Sequence, residues 1–121
     1  MVRITPDVGR NRISIELSGR VTADDLPSAM SQLEEALSRV RAPVDVLSDV
    51  RALDSFDDDL EGTWRAVAVR LGNFGARKVV RVVGKSVQAA VQMERLGRRL
   101  KNHAAHLAFS LEEAEAVFRA S

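Results

Sequence analysis

The chain has 121 residues, 45% apolar and 29% charged, with a net charge of +1, enough for one buried core without cross-links and ordinary for a globular protein. It contains no cysteine, which excludes disulfides, thiolate nucleophiles and cysteine-ligated metals. Met1–Asp7 lacks the apolar core of a signal peptide, and no apolar run approaches the roughly 20 residues that span a bilayer, so no membrane insertion and a cytoplasmic location are expected.

Val2–Thr5 reads as a short strand that can pair with Arg12–Ser18 across the turn-rich link Asp7–Asn11. The second strand alternates apolar and polar residues, the pattern of one buried face, and Gly19 is expected to end it. Thr22 is a candidate N-cap for the first helix, with Asp24 and Asp25 at its positive end. Leu26, Met30, Leu33, Leu37 and Val40 then recur at helical spacing, and Pro27 falls early enough to be tolerated. Val44–Ser48 follows Pro43 as the third strand.

Asp57, Asp58 and Asp59 open a second helix, whose stripe is Leu60, Trp64, Val67, Leu71 and Phe74. Asn73 and Gly75 suit its C-terminal turn. Lys78–Val83 is β-branched on both faces, as in a strand covered from two sides. Gly84-Lys85-Ser86 leads into a third helix carrying Ala89, Met93, Leu96 and Leu100. His106–Phe109 is a last strand, and Ser110 with Glu113 forms a capping box for a final helix through Phe118.

The order is therefore ββαβαβαβα: an α/β fold with about five strands, mostly parallel, one antiparallel edge and four helices, in a single domain spanning residues 1–121. Charge is unevenly spread along it. Asp45–Glu61 holds seven acidic residues and one Arg, whereas Arg77–His106 holds eight Lys or Arg and one Glu. Separated charge of this kind orients encounters with a partner over about a Debye length, roughly 8 Å at physiological salt.

The element order, with Asp54-Ser55 after the third strand, resembles the STAS domain (sulphate transporter and anti-sigma factor antagonist). Arg77–Gly84 and Gln92–Arg95 look similar to its SpoIIAA-like branch, small bacterial proteins grouped with Sec14-like lipid-binding domains. Leu47, Val50 and Leu53 fall where the STAS pattern has apolar residues leading to an Asp-Ser-Ser-Gly loop. The resemblance implies a regulatory module in which a kinase phosphorylates the second Ser and releases a protein partner. Here Asp54 and Ser55 match the first two positions, while Phe56 and Asp57 replace the second Ser and the Gly. A one-residue shift places Ser55 in the acceptor's role.

The candidate partner-binding surface is the loop Leu53–Asp59, with Asp54, Ser55, Phe56, Asp57, Asp58 and Asp59 as its contacts and Ser55 as a possible phosphoacceptor. Asp49, Asp54 and Asp57–Asp59 carry oxygen ligands, but their spacing matches no EF-hand and the macrodipole already accounts for acids at a helix start, so no metal is expected. Lys85 and Ser86 could hold an anion at a helix start, although Val79 occupies the position where a phosphate loop needs its first glycine.

Arg95, Arg98 and Arg99 share one helix face, a solvated basic surface or a contact for an acidic protein. The lack of tyrosine, with most aromatics on core stripes, argues against nucleic acid. His103 and His106 have neither the acids nor the spacing of a catalytic or zinc site, so no catalysis and no cofactor are expected. The reading is a non-catalytic interaction module, monomer or homodimer, with a protein partner. The alternative is a carrier of a small apolar ligand or lipid, held between the sheet and the helices bearing Trp64 and Met93.

Overall fold

The computed structural model describes residues 1–57, 61–84 and 106–120, with only the backbone at 56 and 61–63. Five strands lie in chain order across one sheet: β1 (Val2–Asp7), β2 (Arg12–Val21), β3 (Val44–Phe56), β4 (Ala76–Val82) and β5 (His106–Ala108). β1 runs antiparallel to β2 and every later pair is parallel, as expected of an opening hairpin followed by crossovers. The described helices are α1 (Leu26–Leu37), α2 (Glu61–Phe74) and α3 (Leu111–Arg119). The helix expected over Ala89–Leu100 lies outside the described residues.

Adjacent residues show how the two faces of the sheet are shared. Val46 and Val79 pack into the main core with α1 and α2, while Leu47 and Val80 belong to a smaller cluster beneath α3. Period-two alternation sends neighbours to opposite faces, so α1 and α2 cover one face and α3 the other. The expectation that Lys78–Val83 is covered from both sides is met: Val79 and Val83 face the first cluster, Val80 and Val82 the second.

Local signals place the helices. Before α1, Thr22 N–H donates to the Asp25 carboxylate at 2.8 Å, and Ala23–Asp25 forms a short 3-10 turn. Leu26, Ala29, Leu33, Ala36 and Leu37 form the buried side of α1, and Pro27 sits in its first turn, where it displaces no hydrogen bond. Trp64, Val67 and Leu71 are the buried stripe of α2, which closes with Gly75 N–H donating to Leu71 C=O at 3.1 Å. At α3, Glu113 N–H donates to Ser110 Oγ at 3.1 Å, and the Glu113 carboxylate accepts from Phe109 N–H at 2.8 Å. The reciprocal cap thus reaches one residue further back than the usual box.

Two expectations are corrected. Gly19 does not end β2; the strand continues to Val21, with Gly19 at φ +62° inside it. That left-handed conformation is open to glycine and strains other residues. The third strand does not stop at Ser48 but runs to Phe56. Its alternation is broken by two bulges against β2. Val50 and Arg51 together face Leu17, because the register passes from Glu16–Asp49 to Ser18–Ala52. Asp54 is then extra between the pairs Gly19–Leu53 and Arg20–Ser55. The first bulge lets Val50 and Leu53, three residues apart, both face the main core.

Candidate functional site

The site follows from the extra length of β3. β4 pairs with β3 only as far as Asp49–Val82, whereas β2 follows it to Phe56. Residues 52–56 therefore form a rim beyond the carboxyl end of β4, where open α/β sheets meet ligands and partners. Leu53, 1% exposed, anchors the rim in the main core. Asp54, displaced by the second bulge, is exposed, and Ser55 is half-buried beside Arg20. The stretch expected to be a loop, Leu53–Asp59, is thus strand as far as Phe56.

Asp57 is fixed twice. Its N–H donates to Val21 C=O at 3.1 Å, and its carboxylate accepts from Arg20 Nε at 2.8 Å. Arg20 places a cation within the surface expected to be acidic. Sequence reasoning missed it, because only the parallel pairing of β2 and β3 brings residues 20 and 57 together. Asp54, Ser55 and Asp57 do lie together on one rim, with Phe56 contributing backbone. Asp58, Asp59, Lys85, Ser86, Arg95, Arg98 and Arg99 lie outside the described residues, as does His103.

Other carboxylates are already engaged. Asp49 accepts from Arg51 Nε at 2.9 Å and from a second guanidinium nitrogen at 2.8 Å. Those hydrogen bonds hold its carboxyl below the ordinary value, against a partial burial that pushes it up, and raise Arg51 in turn. No group of three or more His, Asp or Glu suited to a metal occurs among the described residues. Gly84 has a packing role: a Cβ there would lie 2.8 Å from Arg51 Cα and closer still to Arg51 C=O. The chain leaving β4 presses against the β3 backbone, and only glycine permits that approach.

His106 is exposed at the start of β5. Trp64, 6% exposed, is part of the main core. No described helix is long and apolar enough to cross a membrane.

The arrangement defines a class: a mixed, mostly parallel five-stranded α/β domain with a charged rim at the carboxyl end of its central strand. The family model for SpoIIAA-like proteins matches residues 12–117, and the chain belongs to that family. Its fold is similar to the anti-sigma factor antagonist SpoIIAA in its unphosphorylated form, with TM-score 0.69 and 13% identity over 100% of both chains. It is equally similar to an uncharacterized protein of the DUF3478 family with a SpoIIAA-like fold from Shewanella loihica PV-4. That pair has TM-score 0.69 and 14% identity over 96% of this chain and 91% of that one. No curated protein matches the chain.

Proposed function

We propose that this protein is a non-catalytic regulatory interaction module that docks a protein partner on the rim formed by Asp54, Ser55, Phe56 and Asp57, with the next two acids in the sequence, Asp58 and Asp59, as further contacts. The observation that carries the reading is the bulged extension of β3. It holds an exposed Asp54 and an anchored Asp57 beyond the end of β4, on a backbone fixed by Leu53 in the core. A surface built this way needs little ordering on binding, and preorganisation favours affinity. Charge sets the partner's sign: a cationic face complements Asp54 and its neighbours, while Arg20 limits how acidic the rim becomes.

Ser55 is the candidate point of control. A phosphate there adds nearly two negative charges between Asp54 and Asp57 and competes for Arg20, so docking and undocking become different charge states of one rim. The likeness to an anti-sigma factor antagonist supports a regulatory role of this general kind. For the carrier alternative, Trp64, one of its two expected lining residues, is committed to the core.

The test begins with native mass spectrometry of the tagged protein isolated gently from its own cells, which identifies the partner. Its Kd is then compared between wild type and the double variant Asp54→Lys, Asp57→Lys. Reversing two charges, a change of four units, should weaken binding by at least about tenfold, roughly 1.4 kcal/mol, with the melting temperature nearly preserved, because the Arg20–Asp57 pair that is also lost lies at the surface. An unchanged Kd would remove the rim as the docking surface.

A further inference from the structure

The C-terminal unit is attached differently from the rest of the fold. β5 has three residues and, among the described strands, pairs with β4 alone, and α3 follows directly after Phe109 and Ser110. Among the described residues, the apolar contact beneath α3 is a cluster of four buried residues, Val80, Val82, Ala108 and Ala114, with Leu47, Val117 and Phe118 packed at its margin, and it shares no buried residue with the main core. Charge supplies much of the remaining attachment. Arg12, on β2, donates to both carboxylate oxygens of Glu115 on α3, at 2.6 and 3.3 Å, and lies 3.8 Å from the centroid of the Phe118 ring. Lys78, on β4, donates from Nζ to Val117 C=O at 2.9 Å and to Ala120 C=O. Those bonds satisfy carbonyls left over at the end of the helix.

This attachment has a built-in opposing cost. With α3 in place the Arg12 side chain is 7% exposed, and its Nε is buried without an acceptor. Removing a cation from water is offset only when its new partners are complete. Lifting α3 returns Arg12 to water and, among the described residues, uncovers a cluster much smaller than the main core. Elements with few apolar contacts are the ones that open below the global unfolding free energy.

We propose that α3 is a latched lid, which lifts from the sheet as a unit while β1–β4 stay folded, and that the Arg12–Glu115 pair sets how often it opens. Opening uncovers an apolar strip of Leu47, Val80, Val82 and Ala108. Besides Arg12, the charged groups facing Glu115 are Arg10, on the β1–β2 turn at 3.9 Å, and Arg119 on α3 itself. The hydrogen bonds from Arg12 hold the Glu115 carboxyl below its ordinary value of 4.5. A lowered carboxyl stabilises the closed form fully above that ordinary value, and the contribution disappears as pH falls through the lower folded one. The latch therefore loosens in acid.

Hydrogen–deuterium exchange of the full chain at neutral pH, with and without Glu115→Gln, tests this. Residues 111–119 should exchange faster than β2 and β3 in the wild type. Glu115→Gln should accelerate that helix about tenfold, the worth of one charge-assisted hydrogen bond, while leaving β2 and β3 unchanged. Equal wild-type protection of α3 and β2–β3 would mean that the helix leaves only when the whole domain unfolds, and would overturn the lid. An effect of Glu115→Gln that is nil, or equal in all elements, would overturn the latch. The wild-type comparison stands even if the variant folds poorly.

Discussion

The carboxyl rim of β3 and the underside of α3 use charge in opposite ways. At the rim, an exposed Asp54 and the Arg20–Asp57 pair sit on a backbone held by buried Val50 and Leu53. Beneath α3, a cation is buried against a helix whose apolar footing is small. The first arrangement keeps a charged surface rigid at little desolvation cost. The second makes attachment conditional on one ion pair. In this fold, the part suited to steady docking lies at the carboxyl end of the sheet and the part suited to movement lies on one of its faces.

The comparison breaks first if the rim is not anchored by the main core. Leu53→Ala removes a fully buried side chain from that core and should lower unfolding stability by about 3 kcal/mol, read by urea denaturation. It should also weaken partner docking, because the bulge that displaces Asp54 begins at the Gly19–Leu53 pair. A loss under about 0.5 kcal/mol, the range of an ordinary surface substitution, would show that the rim floats free of the core.

A smaller effect is expected at the second support. Gly84→Ala sets a methyl group against the Arg51 backbone, which lies within β3 and cannot yield without disturbing that strand's pairing. A cost of about 2 kcal/mol is expected, within the range for overpacking. The change should also shift amide resonances at Arg51 and Ala52 in a two-dimensional NMR spectrum. Silence at those resonances would remove Gly84 as a brace for the rim.

The legibility of these two regions differs for a physical reason. The order of the described elements, the inward positions of Leu26, Leu33 and Leu37 on α1 and of Trp64, Val67 and Leu71 on α2, and the Ser110–Glu113 cap were readable because each is local: helical spacing and capping act within a few residues. The expected extension of the first stripe to Val40, by contrast, runs past the end of α1 at Leu37. The length of β3 was not, because bulges break the alternation by which strands are recognised. Val50 and Leu53 cannot share a face at period two, so the expected strand stopped at Ser48. Gly19 was read as a terminator for the same reason, although here it bends a strand that continues. Arg20 with Asp57 and Arg12 with Glu115 are separated by 37 and 103 residues. Only tertiary pairing makes them neighbours. Arg12 in particular occupies the outward face of a half-buried strand, where alternation predicts a solvated side chain.

The smallest effect separates the two uses of charge most sharply. If Arg12 were simply a clamp, Arg12→Met would free α3 as much as Glu115→Gln does. If its burial costs nearly what its ion pair returns, a methionine of similar length should pack on Phe118 and leave α3 protection unchanged or up to about tenfold higher. Glu115 is not left as a buried unpaired charge by this change, because its side chain is 29% exposed and Arg10 lies 3.9 Å away. The variant should also lose most of the acid sensitivity. With Arg12 gone, the principal hydrogen bonds that lower the Glu115 carboxyl are gone, leaving only the weaker influence of Arg10 and Arg119. Protection factors for residues 111–119, measured from neutral pH to below 4.5, should therefore fall in the wild type and stay nearly level in Arg12→Met. Parallel curves would assign the acid response to another group, and a freed helix at neutral pH would make Arg12 a plain clamp.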